Sequence, residues 1–174
     1  MIFRETKLKG AFIIDPERQE DERGFFARTW CRQEFEAHGL NPRLAQCSVS
    51  FNKKRGTLRG MHYQIEPHAE AKLVRCTMGA IYDVLIDLRS HHSTYKQWVG
   101  VELSAENRRM LYIPEGFAHG FQTLVDMSEV FYQISEFSHP DYTVGVRWND
   151  PTFEIEWPLV PTVISKRDDS FHDF

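Results

Sequence analysis

The stretch Pro114-Glu115-Gly116-Phe117-Ala118-His119-Gly120-Phe121 sets a Pro-x-Gly turn directly before a short segment of apolar and aromatic residues. A turn followed by such residues is typical of the entry into a β-strand. Similar short segments lie on both sides of it: KLVRC from Lys72, AIYDVLIDL from Ala80, QWVGVEL from Gln97, RMLYI from Arg109 and EVFYQIS from Glu129. Many short strands separated by turn residues predict an all-β protein, either a sandwich or a closed barrel.

Helix is expected to be a minor component of the chain. The spacing of charged and apolar residues predicts two helical turns from Arg32 to His38. The late prolines predict a C-terminal segment that wraps over the barrel and closes a pocket; they are Pro140, Pro151, Pro158 and Pro161. The chain has 174 residues and contains no internal repeat or linker, so we expect a single domain spanning residues 1–174.

Composition limits the compartment and the kind of partner. The chain has three cysteines, Cys31, Cys47 and Cys76, which are odd in number and widely spaced, so a reducing cytoplasm is the expected compartment. No apolar run approaches the ~20 residues that a membrane-spanning helix needs, so no membrane partner is expected. A formal net charge of -4 gives no global reason to bind nucleic acid. The expected partner is therefore a small molecule.

A second segment places a histidine beside a glycine within a strand pattern: Leu58-Arg59-Gly60-Met61-His62-Tyr63-Gln64. Histidine is the side chain best suited to proton transfer near neutral pH. A glycine within a strand often marks a bulge, which would let Arg59 and His62 face one cavity despite their odd separation. His62 and His119 are thus candidates for acid–base work or for hydrogen bonds to a ligand.

The Pro114 to His119 segment also matches the P-x-G-x-x-H element of cupin barrels, in which the histidine commonly ligates a metal. The companion element would supply an H-x-H pair and a downstream glutamate, but after His62-Tyr63 the second histidine position is Gln64, and an amide is a poorer transition-metal ligand. His68 and Glu70 lie close enough in sequence to substitute. A bound metal is nevertheless disfavoured, and none is expected.

A histidine base usually needs a carboxylate to orient its ring. Asp83 interrupts the apolar segment AIYDVLIDL, and Asp168 lies in the charged segment Ile164-Ser165-Lys166-Arg167-Asp168. Spacing alone leaves both candidates open.

Taken together, the motifs resemble the dTDP-4-dehydrorhamnose 3,5-epimerase family over nearly the whole chain. The stretches that carry the resemblance are DERGFF from Asp21, LRGMHYQ from Leu58, KLVRC from Lys72, QWVGVELSAENRRMLYIPEGFAHGF from Gln97, Tyr132, RWNDP from Arg147, IEWP from Ile155 and ISKRD ending at Asp168.

The resemblance implies a metal-independent, homodimeric enzyme without a cofactor, folded as a cupin-type jelly-roll β-barrel with short peripheral helices. It implies that His62 is the base, Asp168 its carboxylate partner and Tyr132 the proton donor, with Lys72 as a further catalytic group near the sugar. The substrate would be a nucleotide-diphosphate sugar. The binding residues that the resemblance implies are Arg23, Phe26, Gln46, Ser48, Arg59, His119 and Arg167.

These roles agree with the chemistry of epimerisation. A proton next to a ketone is lost only if the enolate oxygen is stabilised, a task that suits Lys72. Inversion then needs a second group that returns a proton to the opposite face of the ring. Period-2 alternation places Tyr132 on the same side of its strand as Val130 and Ile134, which favours the barrel interior.

The chain departs from the family pattern at Cys47, Arg28 and Gln133. These positions leave open a different nucleotide sugar, or epimerisation at carbon 3 alone. A metal-dependent cupin oxygenase and a non-catalytic sugar-nucleotide-binding cupin are the alternatives from other classes.

Overall fold

The computed structural model describes residues 1–174, which form mainly short β-strands. The strands are β1 (Ile2–Glu5), β2 (Phe12–Asp15), β3 (Gln19–Asp21), β4 (Gly24–Phe26), β5 (Gln46–Asn52), β6 (Leu58–Gln64), β7 (Lys72–Met78), β8 (Ala80–Asp87), β9 (Trp98–Ser104), β10 (Met110–Ile113), β11 (Phe117–Thr123), β12 (Ser128–Ile134) and β13 (Thr143–Gly145). The helices are α1 (Arg32–Ala37), a 3-10 turn (Pro140–Tyr142) and α2 (Lys166–Asp169). The helix predicted near Arg32 is confirmed. None of the helices has the length and apolar character needed to cross a bilayer.

The strands form two large antiparallel sheets. One has the order β1-β2-β10-β7-β12-β5 and the other β13-β6-β11-β8-β9, while β3 and β4 form a separate hairpin. A cluster of 13 buried residues draws side chains from both large sheets, among them Val74 and Val130 from one sheet and Leu85 and Phe121 from the other. The predicted all-β, cupin-type jelly-roll barrel with short peripheral helices is confirmed.

The two strands that carry the candidate histidines approach each other unusually closely at Gly60 and Gly120. A Cβ atom on Gly60 would lie 2.4 Å from the Cα atom of Gly120, and Gly60 has a φ of +131°. The pairing of β11 with β6 shifts register between His119 and Phe121. The predicted irregularity at Gly60 is therefore present, and both Arg59 and His62 face one cavity.

The C-terminal segment lies over one end of the five-stranded sheet. The backbone N–H of Leu58 donates to the carbonyl of Val163 at 2.8 Å. The side chain of Gln122 donates to the carbonyl of Leu159 and accepts from its N–H. The segment then enters α2, whose N-terminal Ser165 accepts a hydrogen bond from the N–H of Asp168. The prediction that this segment wraps over the barrel and contributes to a pocket is confirmed. The expectation that it would not join the barrel is wrong for β13, which pairs with β6.

Candidate active site

A cavity of about 640 Å³ lies between the two large sheets. This volume falls within the range of small-molecule sites, ~300–1,000 Å³. The six-stranded sheet contributes residues of β5, β7 and β12, the five-stranded sheet contributes β6 and β11, and the C-terminal segment covers one side. The cavity brings together most of the predicted site residues, namely Gln46, Ser48, Arg59, His62, Lys72, His119, Tyr132, Arg167 and Asp168.

His62 pairs with Asp168 at the edge of the cavity. Nε2 of His62 lies 2.8 Å from Oδ1 of Asp168, and the N–H of Gly60 donates to Oδ2 at 3.1 Å. The His62 side chain is 33% exposed, whereas that of Asp168 is 6% exposed. Burial by itself would raise the pKa of Asp168, but the hydrogen bonds from His62 and Gly60 hold this pKa below its ordinary value. The ionised carboxylate therefore keeps a proton on Nε2, which leaves Nδ1 as the nitrogen that can accept a proton.

His119 forms a second pair, with Asp83. Nε2 of His119 contacts Oδ1 of Asp83 on the neighbouring strand β8. The side chains are 5% and 0% exposed, and Oδ2 of Asp83 is buried without a hydrogen-bond partner. The sequence left Asp83 and Asp168 as alternatives for one histidine, whereas the structure gives each aspartate its own histidine.

Tyr132 lies on β12, in the sheet opposite to His62 and His119. Its ring meets the ring of His119 edge-on, with the centroids 6.2 Å apart. Burial, and then the nearby carboxylate of Asp83, raise the pKa of Tyr132 well above its ordinary value. The phenol therefore stays protonated at neutral pH and can act as a proton donor. Tyr132 packs against the core cluster together with Val130, as the alternation predicts.

Lys72 opens β7 on the same wall as Tyr132. Its Nζ atom lies 2.7 Å from Oε1 of Glu70, and both side chains are 11% exposed. This pairing fixes the ammonium group at the cavity surface, where it can stabilise a negative oxygen.

The cavity surface also carries further cationic and polar groups. Arg59 donates from Nε to Oδ1 of Asn52 at 2.7 Å, which leaves the two terminal nitrogens of its guanidinium for a ligand. Arg167 on α2 also lines the cavity, as do Gln46 and Ser48 on β5. Guanidinium groups and neutral donors of this kind suit a diphosphate and its attached nucleoside.

Two predicted binding residues lie outside the cavity lining of the single chain. Arg23 and Phe26 belong to the β3–β4 hairpin, where Phe26 is 74% exposed. Arg23 contacts only its neighbour Asp21 by hydrogen bonds.

Gln64 lies at the position where other cupins carry a metal ligand, and its side-chain amide forms hydrogen bonds with backbone groups. Its nitrogen donates to the carbonyls of His68 and Phe137, and its oxygen accepts from the N–H of His139. Glu70, considered as a substitute ligand, is paired with Lys72. The side chains of Gln64 and Glu70, which could complete a cupin metal site next to His62 and His119, are thus engaged in other hydrogen bonds and in an ion pair.

Sequence reasoning missed Ser50 and Ser165 and considered Glu70 only as a metal ligand, not as the partner of Lys72. Glu70 is two residues before Lys72, and Ser50 alternates with Ser48 and Gln46, so period-2 spacing could have placed both in the cavity. Ser165 precedes Asp168 by three residues, which is the spacing of a helix-capping serine.

Comparisons with known proteins agree on one family. The sequence profile described as dTDP-4-dehydrorhamnose 3,5-epimerase matches residues 5–174. A dTDP-4-dehydrorhamnose 3,5-epimerase of Methanothermobacter thermautotrophicus is 47% identical over 169 residues, which cover 95% of this chain and 90% of that protein.

Solved structures of similar proteins carry related ligands. The dTDP-4-dehydrorhamnose 3,5-epimerase of Bacillus anthracis, solved with TDP and PPi bound, superposes with a TM-score of 0.95 at 39% identity and covers 99% of both chains. The dTDP-6-deoxy-D-glucose-3,5-epimerase of Legionella pneumophila, in complex with dTDP-4-keto-L-rhamnose, has a TM-score of 0.89 at 37% identity and covers 96% of this chain and 89% of that one.

Proposed function

The chain belongs to the dTDP-4-dehydrorhamnose 3,5-epimerase family of isomerases, and from this premise we propose that it converts dTDP-4-dehydro-6-deoxy-D-glucose to dTDP-4-dehydro-L-rhamnose. The observation that carries the proposal is the placement of an oriented histidine and a protonated tyrosine on opposite walls of one cavity. An inversion needs an arrangement of this kind, because one group must take a proton from one face of the sugar and another must return one to the other face.

His62 removes the proton from the carbon next to the ketone. Asp168 holds the hydrogen on Nε2, so the lone pair of Nδ1 accepts the proton, and the imidazolium that forms is stabilised by the same carboxylate. The electron pair of the C–H bond moves onto the ketone oxygen and makes an enolate.

Lys72 stabilises the enolate oxygen. Its ammonium group is held by Glu70 before the reaction begins, so little reorganisation is needed as the charge develops. His119 adds a polar group on the facing wall, and Asp83 fixes its ring.

Tyr132 then delivers a proton to the opposite face of the carbon. The phenol is protonated until this step, and between turnovers the His62 imidazolium loses its proton to solvent while the Tyr132 phenolate takes one up. The same two groups serve carbon 3 and carbon 5, because both carbons flank the ketone at carbon 4.

Arg59 and Arg167 hold the diphosphate, and Gln46 and Ser48 contribute hydrogen bonds to the nucleotide. The support for these roles is that all four residues line the cavity and that Arg59 has two free terminal nitrogens.

We further propose that two copies form a homodimer in which the β3–β4 hairpin of each copy reaches the cavity of the other. Phe26 is 74% exposed on the hairpin, and Val49 and Phe51 are 56% and 41% exposed on the edge strand β5. A second copy would cover these apolar side chains and bring Arg23 and Phe26 to the nucleotide.

The direct test of function is NMR-detected exchange in deuterated buffer with dTDP-4-dehydro-6-deoxy-D-glucose. We expect deuterium at carbon 3 and carbon 5 with the wild type and at neither carbon with His62→Asn. Exchange at carbon 3 alone would replace the proposed reaction with a 3-epimerisation. Absence of exchange from folded wild-type protein would count against this substrate, and failure with a panel of nucleotide sugars would indicate a binding protein without catalysis.

Mixed dimers test the hairpin exchange. A chain with Arg23→Ala keeps its own His62, and a chain with His62→Asn keeps the Arg23 that it offers to its partner. Statistical mixing of the two inactive variants is expected to restore about a quarter of the wild-type sites. Activity that stays at the mean of the separate variants would show that Arg23 does not act across the interface.

We also propose that residues 1–174 fold as one domain and that the protein acts in the cytoplasm. Support for the first comes from the core cluster shared by the two large sheets. Support for the second comes from Cys31, Cys47 and Cys76, which are all free thiols.

A further inference from the structure

A cluster of potential metal ligands lies outside the lining of the active-site cavity. His68 follows β6, and Glu136 and His139 follow β12. One ligand atom from each of the three residues lies within 4.8 Å of the other two, and all three residues are half-buried. The cluster joins two segments that border the cavity, since Gln64 and Glu70 line it on one side and Ser138 and Thr143 on the other.

The two histidine rings are already in contact. Their centroids are 3.5 Å apart with an interplanar angle of 21°, and the ring of Tyr142 packs edge-on against His68 at 4.6 Å. A tetrahedral zinc site with bonds of about 2.1 Å separates its ligand atoms by about 3.4 Å. The lone pairs of two stacked imidazoles lie in nearly parallel planes, so binding requires the His68 and His139 rings to rotate out of the stack until both nitrogens point at one ion.

A single buried side chain fixes the backbone on both sides of the cluster. Gln64, which is 3% exposed, bonds to the carbonyl of His68 at 2.8 Å, to the carbonyl of Phe137 at 3.1 Å and to the N–H of His139 at 2.6 Å. Hydrogen bonds behind the ligands are the usual means by which proteins preorganise a metal site. The amide that occupies the usual metal-ligand position of a cupin barrel thus positions a different set of ligands.

From this geometry we propose that His68, Glu136 and His139 form a Zn²⁺ site at the rim of the active-site cavity. Two imidazole nitrogens and one carboxylate oxygen are a ligand set that zinc binds well, and a water molecule would take the fourth position. Arg43 donates to Oε2 of Glu136 at 3.0 Å and the N–H of Phe137 donates to Oε1 at 2.8 Å, so the metal would use the remaining lone pair of one of these oxygens. The bound ion ties the segment after β6 to the segment after β12 and so restricts the mouth of the cavity. This inference does not depend on the proposed reaction.

The test is isothermal titration of chelator-treated, full-length protein with ZnCl₂ in the absence of substrate. We expect one Zn²⁺ per chain for the wild type and at least about 10-fold weaker binding for His68→Gln, His139→Gln and Glu136→Gln. His91→Gln is the matched control, because His91 is an exposed histidine outside the cluster, and it should bind as the wild type does. His62→Asn should also bind normally, which separates this site from the active site.

Thermal unfolding gives a second measurement for variants whose fold is in doubt. Zn²⁺ should raise the unfolding midpoint of the wild type and of His91→Gln but not that of His139→Gln, because a ligand stabilises only the state that binds it. The proposal is overturned if the wild type takes up no zinc, if the three cluster variants bind as tightly as the wild type, or if His62→Asn or His91→Gln abolishes binding.

Discussion

The cavity contains two histidine–aspartate pairs that differ in how they are held. His119 and Asp83 come from neighbouring strands of one sheet and are almost completely buried. His62 also lies on a strand, but its partner Asp168 comes from a helix 106 residues later, and the His62 ring is one-third exposed. The same two residue types thus form a closed pair inside the barrel and an open pair at its edge.

The difference in exposure suits the two pairs to different functions in the proposed reaction. A base must reach the substrate and change its charge during each turnover, which suits the exposed ring of His62. The buried pair lies beside Tyr132, and the carboxylate of Asp83 contributes to the raised pKa of that tyrosine. In the proposed reaction the open pair removes a proton, and the closed pair lies beside the proposed proton donor.

The largest effect is expected from replacing the histidine of the open pair. His62→Asn removes the base and should lower kcat by about 10³–10⁴-fold while the fold is retained, since general-base catalysis contributes up to about 10⁴-fold. His119→Asn should lower kcat by only ~10–100-fold. Steady-state kinetics together with circular dichroism measure both variants. Equal losses of kcat in the two variants would contradict the assignment of different functions to the two histidine–aspartate pairs.

Tyr132→Phe should have the next largest effect. The variant lacks the proton donor, so net epimerisation should fall by about 10²–10³-fold, whereas His62 should continue to exchange the substrate proton with deuterium. NMR follows product formation and exchange in one sample. Tyr82→Phe is the control, because Tyr82 does not line the cavity. Loss of exchange in Tyr132→Phe at the rate of product loss would assign the tyrosine a different role.

Replacing Asp83 should lower the stability more than replacing Asp168 does, whereas replacing Asp168 should lower the activity. Asp83→Asn weakens a buried pair and should lower the free energy of unfolding by about 3 kcal/mol. Asp168→Asn should cost about 1 kcal/mol, but its amide favours the wrong tautomer of His62 and should lower kcat by about 100-fold. Urea unfolding and kinetics on both variants provide the comparison, which would fail if Asp168→Asn were the less stable protein.

The smallest effect concerns pH. The folded-state pKa of Asp168 lies below its ordinary value of 3.8, so its contribution to stability is present above pH ~4 and is lost as the pH falls through the lower folded-state value. The wild type should therefore lose more stability between pH 5 and pH 2 than Asp168→Asn does. Urea midpoints at several pH values measure this difference. Parallel curves would show that the carboxylate is not stabilised by folding.

The sequence was sufficient for the family, the enzyme class and the all-β fold, and all three predictions are confirmed. Tyr132 could be placed inside the barrel because strand alternation is a local property. The pairing of Asp168 with His62 could not be derived from spacing, because it depends on how a long irregular segment crosses the barrel. Only the family resemblance indicated it.

Other features were beyond the reach of the sequence for similar reasons. The cluster of His68 and His139 joins segments that are far apart along the chain, and the sequence offered His68 only as a substitute ligand inside the barrel. Arg23 has no contact with the cavity of its own chain, so a single sequence and a single chain leave its implied role a prediction.

The long separation between His62 and Asp168 also has a consequence for biosynthesis. A chain emerges from the ribosome from its N-terminus, and the early segments begin to fold first. All thirteen strands precede Asp168 in the chain, so the barrel can assemble while the imidazole of His62 still lacks its carboxylate. In the proposed mechanism, docking of α2 is thus the folding step that gives the base its carboxylate and completes the active site.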